Sequence, residues 1–183
     1  MKTTKISSLI KKRRYLAIHT SGNEQWISDG VAAYPVQGMP VMSDSQMLKH
    51  LDLQPKDKVD VINWEADKLE TKDSIAEETE IKEFGPSLLI GGEEYASLYT
   101  EIGLLLVNEK YLAPVHTDTS DGVLTFWLRY NSGNPLIAVK KGLFLLALIY
   151  PLKTWGLGDT LESTYTRLLT ELHRVGRRMG EKE

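Results

Sequence analysis

Four consecutive cations, Lys11-Lys12-Arg13-Arg14, stand close to the start of this chain, and three more, Arg174, Arg177 and Arg178, stand close to its end. Side chains of this kind contact phosphate oxygens, giving salt-sensitive affinity without base selectivity. Four adjacent cations also suit the solvated end of a helix, where they complement its dipole. Between the basic segments, the stretch from Glu65 to Glu83 carries eight acidic residues against three lysines, Glu77, Glu78 and Glu80 among them. A run with so few large apolar residues reads first as a solvated loop. Its second reading is an imitation of a nucleic-acid backbone that fills a cationic groove on a partner, binding fast and with strong dependence on salt. Trp155, next to Gly156, is the tryptophan best placed to serve as an exposed anchor; Trp26, Trp64 and Trp127 fall mostly on predicted strands and read as core.

Other chemistries find little support. The four histidines, His19, His50, His116 and His173, are scattered, and only His116-Thr117-Asp118 brings two metal-ligand types close together. A loop histidine beside a turn-forming aspartate accounts for that triplet equally well, so no metal is expected. A G-x-S-x-G elbow, a P-loop and a complete G-x-G-x-x-G fingerprint are missing; Gly156-Leu157-Gly158 lacks the third glycine. The adjacent carboxylates Glu77-Glu78 and Glu93-Glu94 read as solvated surface groups, since glycosidase-type work needs carboxyls facing each other across a substrate. Cysteine is absent, which removes disulfides, thiolate metal sites and thiol nucleophiles. No catalytic residue and no cofactor is expected.

The elements that must position these residues follow from periodicity and turn chemistry. Ile6, Leu9 and Ile10 stand at i, i+3 and i+4, which predicts a short first helix with Thr3 or Thr4 as its cap. Tyr15–His19 predicts a strand, Ser21-Gly22-Asn23 a turn, and Gln25–Ser28 a second strand. Asp29-Gly30 then predicts a type I′ hairpin into Val31–Val36. Ser43 and Asp44 open a second short helix carrying Met47, Leu48 and Leu51, limited by Pro55. Strands are further predicted at Val59–Trp64, Ser87–Ile90, Leu104–Asn108, Tyr111–Val115, Val123–Tyr130, Pro135–Lys140 and Leu143–Tyr150, with Glu94–Tyr99 open between strand and helix. Thr117–Gly122 reads as a polar loop. Asp159 with Glu162 forms a capping box for a final amphipathic helix striped by Leu161, Tyr165, Leu168, Leu169, Leu172 and Val175. Ala33-Tyr34-Pro35-Val36 and Ile149-Tyr150-Pro151-Leu152 echo one another, leaving a duplicated half-domain open.

The order predicts an α+β fold with a mainly antiparallel sheet, short N-terminal helices and an amphipathic C-terminal helix. Residues 1–153 form one domain with the acidic loop near 65–83, and residues 154–183 are linker and helix. A chain of 183 residues with net charge −3 has room for that core and no general attraction for nucleic acid, so any such contact uses local basic patches. The longest apolar run, Leu143–Leu152, is half of the roughly 20 residues a bilayer-spanning helix needs, and reads as a strand buried on both faces. No secretory signal is read before Lys11, so the expected location is the cytoplasm, with no membrane partner.

Two segments resemble parts of sliding-clamp-type domains. Gln25–Tyr34 (QWISDGVAAY) is similar to their strand–Asp-Gly–strand unit, and Leu143–Lys153 (LFLLALIYPLK) to their closing strand with its apolar-Pro-apolar-basic tail. The chain is also similar in general style to small phage and prophage proteins of Firmicutes. The clamp resemblance implies a clamp-like fold; one domain of this size would have to oligomerise to make a ring. The functional expectation is a non-enzymatic protein of a phage or mobile element. It would bind a protein partner, such as a nucleoprotein complex that processes nucleic acid, and inhibit or modulate it. An inhibitor of a CRISPR nuclease, of anti-CRISPR type, is one concrete form. The alternative is a clamp-like accessory of DNA replication, binding DNA through its local basic patches.

Overall fold

The computed structural model describes residues 2–64, 69–116 and 123–152. Helix α1 (Thr3–Arg13) is followed by strands β1 (Tyr15–Ser21), β2 (Glu24–Ser28) and β3 (Ala32–Pro35), then helix α2 (Asp44–His50) and β4 (Asp60–Trp64). A second run of strands comprises β5 (Thr79–Ile81), β6 (Glu83–Phe84), β7 (Leu88–Ile90), β8 (Glu93–Thr100) and β9 (Gly103–Asn108). The last three are β10 (Leu124–Asn131), β11 (Asn134–Lys141) and β12 (Phe144–Ile149). This is the α+β fold with mainly antiparallel sheets that the pattern predicts. The predicted C-terminal helix and its linker, with Trp155, Arg174, Arg177 and Arg178, lie outside the described residues.

Eight strands form the main sheet in the order β4-β1-β2-β3-β12-β11-β10-β5. Two antiparallel meanders, β1–β2–β3 and β10–β11–β12, meet at the β3–β12 seam, where Leu148 faces Ala33 and Ile149 faces Ala32. The chain then passes through α2 before β4 returns to the far edge, parallel to β1. A smaller sheet is built on β8, with β9 along one edge and β6 and β7 sharing the other. Because strand side chains alternate, the main sheet has two apolar faces. Its front face, including Leu16, Ile18, Ile27, Tyr34, Ile137 and Ile149, packs with Ile6 and Ile10 of α1, Met47 of α2 and Leu98 of β8. Its back face gathers Trp26, Ala33, Leu136, Ala138, Leu145 and Leu148 around Leu69. Among the described residues, no helix is long and apolar enough to cross a membrane.

Several local expectations change. Lys2, not Thr3 or Thr4, occupies the cap position of α1. At the β2–β3 turn only Gly30 has positive φ (+87°), and the Asp29 carboxylate accepts hydrogen bonds from Val31 N (3.0 Å) and Ala32 N (2.9 Å). The hairpin therefore closes through an aspartate-capped turn, with four residues between the paired Ser28 and Ala33, instead of a two-residue type I′ turn. Type I′ geometry appears instead at Gly91-Gly92, with φ of +60° and +81° between the paired Ile90 and Glu93. Tyr111–Val115 is not a strand: Glu109–Tyr111 is a 3-10 turn, and Val115 N and His116 N both donate to Leu112 O. Tyr111, Leu112 and Val115 still reach the core from that coil, so a short apolar run gave no way to separate strand from turn. Glu93–Thr100 settles as strand. The apolar run is exposed at both ends, Leu143 at 86%, Phe144 at 66% and Leu152 at 40%, and is buried or half-buried between Leu145 and Pro151. The two Tyr-Pro echoes also differ in facing, with Tyr34 in the front core and Tyr150 against the back.

Candidate functional site

The basic end of α1 is engaged internally. Lys11 pairs with Asp57 at 3.5 Å, Lys12 with Glu93 at 3.1 Å, and Arg13 Nε donates to the Asp29 carbonyl at 2.9 Å while lying 3.8 Å from its carboxylate. The reason is position: α1 ends where three other segments converge, and Arg14 reverses the chain in a left-handed conformation (φ +55°) into β1. Arg14 is exposed and, of the four, has no side-chain partner among the described residues. Glu93 also accepts from Lys110 at 2.7 Å and from Asn108. The Lys110 hydrogen bond, then that of Lys12, holds the Glu93 carboxyl down at about 2.

The acidic segment is not uniformly a solvated loop. Glu77 is exposed and Glu80 pairs with Lys82 at 3.6 Å, as surface carboxylates should. Glu78 departs from the expectation of a partner contact: its side chain is 5% exposed, between Arg129 of β10 (1%) and Lys140 of β11 (5%). Arg129 Nε donates to Glu78 Oε2 at 2.7 Å, and its two terminal nitrogens donate to the carbonyls of Lys72 (2.8 Å) and Asp73 (2.9 Å). Lys140 donates to Glu78 Oε1 and sits 4.6 Å from the Trp127 ring centroid. Asp73 Oδ1 accepts from Leu145 N at 2.8 Å. Burial raises the Glu78 carboxyl, but hydrogen bonds from Lys140 and Arg129 with their charges outweigh it and hold it below the usual carboxylate range. Arg129 and Lys140 escaped the sequence reading; the signal was a cation within each of two largely apolar strands, the one in β11 followed by Lys141.

Beside this clasp runs an open groove of about 1600 Å³. The ends of β2 and β3 form one wall, the β11–β12 hairpin another, and Thr71, Lys72 and Asp73 a third. Its lining mixes polar and apolar side chains, and three of the apolar ones are well exposed: Val123 at 83%, Phe144 at 66% and Met39 at 46%.

The remaining candidates do not converge. His116 is exposed, and its neighbours Thr117 and Asp118 lie outside the described residues. Among the described residues no three His, Asp or Glu side chains are grouped to hold a metal. His19 is buried against Trp64 (edge-on, 4.7 Å between centroids), its Nδ1 has no hydrogen-bond partner, and burial lowers its pKa. Tyr34 donates to Tyr111 O at 2.8 Å, and burial together with the Asp29 charge pushes the Tyr111 phenol up to about 12. Trp26 is buried and Trp127 packs half-buried against the back-face core, whereas Trp64, predicted as core, is half-buried on edge strand β4 against His19 and outside both core clusters.

What the fold and the site define is an α+β protein with two sheets, an open groove with exposed apolar side chains in its lining, and a buried charge clasp beside it. No protein-family model, no curated protein and no solved structure matches the chain. What the protein does has to be read from its own geometry.

Proposed function

We propose that this protein acts by binding another macromolecule, without catalysis, and that its target is a protein of a nucleic-acid-processing complex which it inhibits or modulates. The observation that carries this reading is the groove, with Met39, Val123 and Phe144 exposed in its lining. Large apolar side chains clustered on a surface mark interaction sites, because leaving them in water costs free energy that a partner recovers. The exposed Glu77, with a smaller share from the half-buried, Lys82-paired Glu80, supplies the steering that a cationic nucleic-acid-binding partner would feel. Lys11, Lys12 and Arg13 contribute less than their sequence suggests, since each is paired within the fold.

In its most concrete form the protein inhibits an RNA-guided nuclease of a CRISPR system, as a phage or mobile element would require. The test is target-DNA cleavage by a panel of purified guide-loaded nucleases with and without this protein. Stoichiometric inhibition of one member is expected, weakened at least tenfold by Val123→Asp with Phe144→Asp, and made less salt-dependent by Glu77→Lys with Glu80→Lys. Unchanged cleavage across the panel at excess protein would overturn the nuclease-inhibitor reading.

The clamp-like accessory is a second reading, favoured by one feature. The main sheet ends in β4, whose outer edge pairs with no described strand, and copies could join there. Light scattering with duplex DNA at low and moderate salt separates the readings. A closed oligomer that retains DNA supports the clamp, and a monomer indifferent to DNA supports the protein-binding reading.

A further inference from the structure

The segment from Leu69 to Glu78 is attached to the main sheet in an unusual way. It contributes no strand, and only Leu69 is a buried apolar anchor. Its hydrogen bonds to the sheet are the Arg129 and Lys140 contacts to Glu78, the Arg129 contacts to the carbonyls of Lys72 and Asp73, and the Leu145 N contact to Asp73. Nearly all the attachment therefore converges on two cations of adjacent strands, set four residues apart along the ladder, whose side chains meet at Glu78. Thr125 faces Lys140 across β10 and β11, and Trp127 and Arg129 follow on the same face of β10. One carboxylate stands against these two buried cations, with Trp127 lying under Lys140. A guanidinium fork beside an ammonium, both water-excluded, is a recognition site for an oxyanion.

We propose that Arg129 and Lys140 form an oxyanion-binding site on the back of the main sheet, that Glu78 fills it as an internal ligand, and that the 69–78 segment is consequently a self-inhibitory strap. A carboxylate or phosphate group on a ligand competes with Glu78 for the same donors. A ligand that takes both cations displaces Glu78 and draws Arg129 from the Lys72 and Asp73 carbonyls, leaving Leu69, the Asp73 carboxylate and the junction with β5 as the anchors of the strap. The cover over apolar back-face side chains such as Leu136 and Ala138 is loosened, and with it the groove wall formed by Thr71, Lys72 and Asp73. The internal carboxylate wins in the absence of a competitor because its tether gives it a high effective concentration. This inference rests on the clasp geometry and holds whichever partner the protein has.

The test uses the full chain carrying Glu78→Ala, with Glu78→Gln as the variant of nearly native volume. Thermal unfolding is followed at matched ionic strength with inorganic phosphate, acetate or chloride, and tryptic cleavage after Lys72 is timed in parallel. In Glu78→Ala, cleavage after Lys72 is expected to rise about tenfold while cooperative unfolding persists. Phosphate or acetate should then raise the melting temperature saturably, as a ligand of the folded state does. Wild type, and Glu78→Ala combined with Arg129→Gln, should not respond. A response to phosphate above acetate assigns a phosphate-bearing ligand, and the reverse order assigns an acidic polypeptide. Equal effects of all three salts, native-like resistance to trypsin, or failure of both Glu78 variants to fold would each overturn the proposal.

Discussion

The two charge clusters of this molecule are built on opposite principles. At the end of α1 the cations are contiguous in sequence, and they reach three separate acids across partly exposed surface: the side chains of Lys12 and Glu93 are 67% and 34% exposed. On the back of the main sheet the charges are scattered through the sequence, yet Arg129, Glu78 and Lys140 meet with at most 5% exposure each. Water screens the first cluster, so each of its pairs adds little to stability and can be exchanged for solvent. The second cluster has no solvent to fall back on, and removing one member leaves charges and carbonyls without partners. Charge density along the chain is therefore a poor guide to where charge matters.

The contrast breaks most visibly at Arg129. Arg129→Met is expected to lower unfolding free energy by about 3–5 kcal/mol, read by urea denaturation, because it leaves Glu78 Oε2 and two backbone carbonyls without their donor, with Lys140 alone on the carboxylate. A loss no larger than that of an exposed pair would erase the distinction between the clusters. Asp29 gives an intermediate case, since its carboxylate is buried although its partner Arg13 is 48% exposed. Asp29→Ala removes the acceptor for two turn amides and is expected to cost about 1–3 kcal/mol. Arg13→Gln is expected to cost less than about 1 kcal/mol.

The smallest effect belongs to Glu93 and is best read as a titration. Lys110→Met should raise the Glu93 pKa from about 2 toward the ordinary carboxylate range, measurable by NMR. Because its folded pKa is depressed, Glu93 stabilises the fold above the ordinary carboxylate pKa, and that contribution fades as pH falls toward 2. In the variant, the contribution should shrink and disappear at higher pH. An unmoved Glu93 titration would show that Lys110 is a bystander.

What could be read from the sequence is what depends on near neighbours. Ser43 and Asp44 mark the start of α2, and Ser43 is its N-cap, with Ser43 N donating to Gln46 Oε1 at 2.9 Å. The turns at Gly91-Gly92 and Asn131–Asn134 follow from residues that tolerate positive φ, and Ser132 and Gly133 adopt +49° and +76°. The strands mostly fall where alternation puts them. The clasp was hidden because Glu78 lies 51 residues from Arg129 and 62 from Lys140, with nothing local to distinguish it from Glu77. The paired state of Lys11–Arg13 was hidden for the same reason. Asp57, Glu93 and Asp29 become neighbours of α1 only once both sheets exist.

The β3–β12 seam also has a kinetic consequence. Each meander can assemble from contacts close in sequence, whereas the seam joins residues at opposite ends of the described chain through Leu148–Ala33 and Ile149–Ala32, with Tyr150 N donating to Val31 O. Closing so long a loop carries an entropy cost that only the finished ladder and the shared front core offset. Folding should therefore pass through two separately formed halves, with their zipping together as the slow step. Substitutions in the seam at Ala33 or Leu148 should then slow refolding more than those at the outer strands β4 and β5.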